Sequence, residues 1–259
     1  MADYKYCKVE DEGRLRIVTL NRPEVMNALH SDAHQELEKV WDEFAANDDL
    51  WVGIVTGAGE RAFSAGNDLK VTAAGKRGPA VRSGFAGLTS RFDLNKPLIA
   101  AVNGVAMGGG FEIALACDII IAAENARFAL PEPRVGLIAG AGGVHRLPRT
   151  IPIKLAMGMM LTGRHVPAKE GRELGFVTEV VPEGEALTAA KRWAAMILEC
   201  SPMAVRATKE AAYRGIDEPT LEQALRNVYP SQLRNAQSQD YIEGPRAFAE
   251  KRKPNWQNK

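Results

Sequence analysis

Two glutamates sit in settings unusual for surface carboxylates. Glu112 lies in GVAMGGGFEIALACD, Gly104 to Asp118, just beyond three consecutive glycines and among apolar residues. Tandem glycines lose more conformational entropy on folding than any other residues, so stability alone is a poor reason for them. A bare backbone opening a helix offers unpaired N–H groups, close approach and a positive dipole end, which is half of an oxyanion hole. The competing reading is a tight packing turn with Glu112 as a helix-start carboxylate. Glu132 lies in ALPEPRVGLIAGAGGVHRLPR, Ala129 to Arg149, between Pro131 and Pro133. Flanking prolines predict a stiff, non-helical backbone, which suits a positioned acid or base; an ordinary loop glutamate is the alternative. The segment ERAFSAGNDLK, Glu60 to Lys70, bends through Ala65, Gly66 and Asn67. It is a source for the second backbone donor, since two N–H groups must converge on one oxygen.

The strings FSAGNDL, GVAMGGGFEIALACDI and ARFALPEPRVGLIAGAGG resemble, in order and spacing, the enoyl-CoA hydratase/isomerase (crotonase) superfamily, from about Leu15 to the C-terminus. The resemblance implies an α/β fold, the ClpP-like crotonase spiral of repeated ββα units, with a helical C-terminal region that builds a trimer or a hexamer of paired trimers. It implies that Gly109 and Asn67 supply the oxyanion N–H groups, that Glu112 and Glu132 are the catalytic pair, and that Gly140 lines the water site. Ala139 stands where many hydratases have proline. Relatives that only isomerise, hydrolyse or dehalogenate generally keep one glutamate or neither, so the pair favours hydration. Water addition needs a base to activate water at C3, an acid to protonate C2, and a hole for the enolate oxygen between them.

For the coenzyme, the same resemblance implies Met26, Arg61, Ala65 and Lys70 around the AFSAGND turn. Phe248 and Lys251, in EGPRAFAEKRKPNW, would reach a neighbouring subunit's coenzyme. Glu24 replaces a phosphate-binding lysine of some relatives. No metal or redox cofactor is implied, because coenzyme A is part of the substrate. Carnitinyl-CoA dehydratases are similar in the tail and the FSAGNDLK turn. They would need an aromatic or acidic pocket for a trimethylammonium group, and Val71 to Phe92 holds few aromatics and no acid. An isomerase with Glu132 as lone base is a further alternative. A non-catalytic or RNA-binding homologue would be expected to lose a glutamate or show a lysine-rich helix, and this chain does neither.

The elements that must position these groups alternate. RLRIVTL, WVGIVTG, PLIAAVNG and DIIIAA read as strands. A helix starts at about Ser31, a plausible N-cap, with Ala33, Leu37, Val40, Trp41 and Phe44 on one face. Strands separated by helices predict a partly parallel α/β core. Beyond Pro182 the pattern is almost wholly helical, including TLEQALRNVYPSQLRNAQ, so the chain divides into a core over 1–181 and a helical region over 182–259. The glycine-rich segment from Val71 to Phe92 reads as a mobile loop beside a site.

Composition narrows the class. The 259 residues are 46% hydrophobic and 25% charged, ordinary for a globular enzyme, and a net charge of +1 argues against nucleic acid as the main partner. Three scattered cysteines (Cys7, Cys117, Cys200) fit reduced thiols. The N-terminus lacks an apolar h-region and no stretch is long enough for a bilayer, so a cytoplasmic enzyme is expected. GAGERA, Gly57 to Ala62, fits a dinucleotide pattern, but a turn rather than a helix follows it. His30 and His34 share a helical face without a third metal ligand.

Overall fold

Alternating apolar residues build a six-stranded sheet with both faces covered. The computed structural model describes residues 4–75, 79 and 81–259. Strands β1 (Cys7–Glu12) and β2 (Leu15–Leu20) form an antiparallel hairpin. Strands β3 (Val52–Gly57), β5 (Leu98–Val102), β7 (Ile119–Ala123) and β10 (Glu179–Val181) then add in parallel, in the order β1-β2-β3-β5-β7-β10. The two-residue period sends Val18, Val55, Ala100, Val102 and Ile120 to one face and Ile17, Ile54, Ile99, Ala101 and Ile121 to the other. Strands buried on both faces must be largely apolar along their whole length, as β3, β5 and β7 are, whereas the edge strand β1 is charged and mostly exposed.

Each central strand leads within a few residues to a shorter strand of a second sheet. Strands β4 (Ala62–Ser64), β6 (Val105–Met107) and β8 (Arg127–Ala129) follow β3, β5 and β7, and β9 (Val166–Pro167) closes the order β4-β6-β8-β9. Helices α2 (Leu69–Ala73) and α3 (Gly109–Ala116) complete two ββα turns, so the expected spiral is the observed architecture. Helix α1 (Ser31–Ala46) lays its anticipated face, Ala33, Leu37, Val40, Trp41 and Phe44, into the first core. Its N-cap is His30, whose side chain accepts from Ala33 N–H, and not Ser31, which is the first helical residue. Phe111 of α3, Phe128 of β8 and Phe176 form a triangle with ring centroids 5.1 to 5.2 Å apart. That cluster locks the helix bearing Glu112 to the second sheet.

Helices α4 (Gly143–Thr150), α5 (Ile153–Thr162) and α6 (Ala168–Leu174) lead to the last strand. Helix α7 (Ala186–Leu198) packs Ala186, Ala189, Ala190 and Ala194 on the other sheet face, so the helical region starts as part of the core and not as an appendage. Helices α8 (Pro202–Ile216), α9 (Leu221–Arg226), α10 (Pro230–Ala236) and α11 (Gln239–Ala249) follow. The segment read as one helix, TLEQALRNVYPSQLRNAQ, divides into α9 and α10. Pro230 holds Tyr229 in an extended conformation, φ −88° and ψ 148°, which ends the helical run.

Candidate active site

The first turn of α3 is built from backbone that a side chain would spoil. Gly108 has φ +52° and ψ −122°, a region closed to L side chains. A Cβ there would also lie 2.6 Å from Glu132 Oε1, and one on Gly110 would collide with the Ser64 carbonyl. The Ala65–Gly66–Asn67 turn meets the same point: a Cβ on Gly66 would sit 2.7 Å from Gly109 N and 2.6 Å from Met107 O. The two segments from which the oxyanion donors were expected are therefore in contact.

A dense network fixes that turn. Ala65 N–H donates to Met26 O (2.8 Å), Gly66 N–H to Ser64 Oγ (3.1 Å) and Ser64 Oγ–H to Asn27 O (2.8 Å). Asn27, fully buried, donates to Ala58 O and Ala62 O at 3.0 and 2.8 Å and accepts Arg22 N–H at 2.9 Å. Arg22 Nη1 pairs with Asp68 Oδ2 at 3.1 Å, and both side chains are mostly buried. Of these supporting groups only Met26 and Ala65 stood out as site residues in the sequence, since Asn and Ser are commonplace in turns.

Glu112 is 3% exposed, and its Oε1 accepts Gly143 N–H at 2.8 Å from the start of α4. Burial pushes its pKa up to about 7. The Gly143 and Ala141 N–H groups and the Arg146 charge oppose the rise, while the Glu132 charge adds to it. Glu132 lies across Gly108, one helical turn before Glu112, and burial raises its pKa too. Its Oε2 is buried without a hydrogen-bond partner among the described residues. Its backbone is not the non-helical segment that the prolines predicted: residues Glu132–Val135 form a single 3-10 turn, because Pro133 fits the first turn of a helix. Both carboxyls hold a proton more tightly than a free glutamate, which suits one to act as base and the other as acid.

The remaining expected residues are spread around this centre. Gly140 is exposed in the loop before α4, with Ala139 buried beside it. Met26 touches the turn through its carbonyl; Arg61, Asn67 and Lys70 are exposed and Ala65 is half-buried along the same edge. Phe248 and Lys251 lie at the exposed end of α11, and no described contact joins them to Glu112 or Glu132. The segment expected to be a mobile loop falls partly on residues 76–78 and 80, outside the described residues. Its part from Ser83 to Thr89 is instead pinned to α1: Ser83 N–H donates to Glu38 Oε1 at 2.9 Å and Ala86 N–H to His34 Nδ1 at 3.1 Å. Phe85, which the sequence gave no reason to single out, lies against Gly109. Arg146 ties this segment to α4 by donating to Thr89 O at 2.8 Å.

Among the described residues no group of three or more His, Cys, Asp or Glu side chains is placed to hold a metal, and no helix is long and apolar enough to cross a membrane.

Known proteins are similar to this chain over nearly its full length. A family model described as enoyl-CoA hydratase/isomerase matches residues 10–259. A carnitinyl-CoA dehydratase of Escherichia coli (strain SMS-3-5 / SECEC) is 44% identical over 256 residues, covering 95% of this chain and 96% of that protein. The crystal structure of an enoyl-CoA hydratase from Mycobacterium tuberculosis H37Rv superposes with a TM-score of 0.90 at 38% identity, covering 98% of this chain and 99% of the other. That of a carnitinyl-CoA hydratase from Mycobacterium avium gives 0.79 at 38% identity, with 99% and 100% covered.

Proposed function

The chain belongs to the enoyl-CoA hydratase/isomerase family, and we propose that it adds water reversibly across the 2,3 double bond of a 2-enoyl-CoA. The observation that carries this reading is the pair of carboxyls, buried Glu112 and half-buried Glu132, both with pKa values raised by burial, against the one helical turn that meets the Gly66–Asn67 bend. Ionised Glu112 takes a proton from water, whose oxygen bonds to C3 as the C2–C3 π electrons move toward the thioester. The resulting enolate oxygen is held by the N–H groups of Gly109 and Asn67, and protonated Glu132 delivers its proton to C2. The proton left on Glu112 then returns to Glu132, which resets the pair for the next turnover. These steps call for no metal or redox cofactor. Met26, Arg61, Ala65 and Lys70 line the edge where the coenzyme would lie, and Gly140 the water site.

A second reading stays on the same machinery. The relatives named carnitinyl-CoA dehydratase and hydratase favour an acyl group bearing a quaternary ammonium, and Phe85 places an aromatic ring beside Gly109, where a cation could rest on it. Retention of both glutamates weighs against an isomerase with Glu132 alone and against a non-catalytic or RNA-binding homologue. We also propose a cytoplasmic homotrimer or hexamer. Leu221, Leu225, Val228, Leu233, Ile242 and Phe248 expose an apolar surface on the C-terminal helices that a single chain leaves in water, and Phe248 and Lys251 would then serve a neighbour's coenzyme. The test is loss of enoyl-thioester absorbance with crotonyl-CoA and crotonobetainyl-CoA, for the wild type, Glu112→Gln and Glu132→Gln. Hydration of either substrate that both substitutions abolish supports the reading; a folded, CoA-binding wild type that hydrates neither rejects it.

A further inference from the structure

We propose that Phe85 is the specificity-determining residue of the acyl pocket, held by His34 and Glu38 of α1 so that the site admits a compact acyl group and turns away a long straight one. The inference rests on the acyl-CoA reading above and extends it to the class of acyl chain.

The placement of the ring decides what it can touch. A Cβ built on Gly109 would lie 2.5, 2.6 and 3.0 Å from Cζ, Cε1 and Cε2 of Phe85, so the ring edge rests on the Gly109 α-carbon. A thioester oxygen accepting the Gly109 N–H sits about 3 Å from that nitrogen. The first carbons of the acyl group are then one or two bond lengths further on, within reach of the ring. Phe85 is half-buried, and one flank faces the His34 ring, with centroids 4.3 Å apart and planes at 55°.

The ring is also prevented from swinging aside. Ala86 sits at φ +56°, a conformation that costs a non-glycine residue and persists only where its surroundings enforce it. Three contacts enforce it here. His34 Nδ1 accepts the Ala86 N–H at 3.1 Å, Phe85 N–H donates to Thr89 Oγ1 at 2.9 Å, and Ser83 N–H donates to Glu38 Oε1 at 2.9 Å. Gly87 lies so close to the Glu38 backbone that any side chain on it would collide with α1. Burial lowers the His34 pKa to about 4, so its Nδ1 stays an acceptor at neutral pH. Behind the ring runs α1 itself, whose Ala33 and Leu37 are fully buried in the core. An acyl chain that reaches Phe85 therefore meets a wall with a helix behind it, and His34 acts as a positioning residue for that wall.

The test compares binding of butyryl-CoA and decanoyl-CoA, saturated thioesters that cannot react, by calorimetry. Proteins compared are the wild type, Phe85→Ala, Phe85→Leu, His34→Leu and His34→Gln, with free CoA as the control ligand. Each methylene newly buried is worth about fourfold in affinity. Phe85→Ala should therefore move the decanoyl-to-butyryl preference by at least ~10-fold toward the longer chain, with free CoA binding unchanged. Phe85→Leu keeps most of the bulk and should shift the preference less. His34→Leu should shift it in the same direction, and His34→Gln, which retains an acceptor, should restore it. The proposal is overturned if the preference stays put in folded Phe85→Ala and Phe85→Leu, or if free CoA affinity falls in step with both acyl-CoAs. Hydration of crotonyl-CoA, crotonobetainyl-CoA and 2-decenoyl-CoA in the same samples separates the two ideas. A relaxed chain preference without any turnover would sink the hydratase reading and leave the Phe85 assignment standing; turnover with an unmoved preference would do the reverse.

Discussion

Replacing Glu112 by Gln should abolish hydration and yet make the protein more stable, by an amount that depends on pH. The pKa of Glu112 rises from an ordinary 4.5 to about 7, a change worth about 3 kcal/mol for a group only 3% exposed. A raised carboxyl binds its proton more tightly in the folded protein than in the unfolded chain. Its effect is absent while both states are protonated, below pH 4.5. Stability falls as pH climbs from there toward 7 and is flat beyond, because above 7 the buried carboxylate is charged in the fold. Glutamine never carries that charge, and its Oε1 can still accept the Gly143 N–H. The gain at pH 8.5 should therefore approach about 3 kcal/mol. At a few degrees per kcal/mol for a chain of this size, that is roughly 5 to 10 °C in Tm. Thermal melts of wild type and Glu112→Gln from pH 4.5 to 8.5 measure it, with crotonyl-CoA hydration on the same preparations. A difference in Tm that does not vary with pH, or a variant less stable at pH 8.5, would refute the claim that a buried charge is stored at this position.

Glu132→Gln should lower kcat for hydration by about 10²- to 10⁴-fold with acyl-CoA binding retained, since only proton delivery is lost; equal losses in kcat and in affinity would point to a structural role. The pH profile of kcat/KM for hydration should show an acid limb near pH 7, where Glu112 loses its proton. An acid limb unmoved by Glu112→Asp would assign that limb elsewhere. Gly109→Ala drives a methyl into the Phe85 ring, 2.5 Å away. It should cost about 10²- to 10³-fold in kcat through displaced donor geometry, and pairing it with Phe85→Ala should recover part of the loss. Asn27→Ala leaves the Ala58 carbonyl and the Arg22 N–H without their Asn27 partner, and the Ala62 carbonyl with only the 3.3 Å bond from Asn103. Equilibrium unfolding should show a loss of about 2 to 4 kcal/mol, and a smaller effect would mean that water replaces the side chain.

The parts of the site that were legible in the sequence are those whose identity backbone geometry forces locally. Gly108 and Gly110 are glycines because one occupies a conformation closed to side chains and the other touches the Ser64 carbonyl. Such constraints leave a mark at the position itself, and Glu112 is read by its distance from them. The apolar face of α1 and the alternation of β2, β3, β5 and β7 were legible for the same reason, each being periodic within one element. Strands β4, β6 and β8, of three residues each, are too short to show a period, yet they bring the Gly66 turn, Gly108 and Glu132 together. Phe85 left no local mark at all. It sits among Gly, Ala and Ser, and its position is set by His34 and Glu38, polar residues of a helix whose apolar face was its readable feature. The reaction class is thus encoded in short stretches where glycine and carboxylate are demanded by geometry. Selection of the acyl group depends on a side chain aimed by a distant helix, so sequences that agree at every glycine and both glutamates can still differ in the substrate they accept.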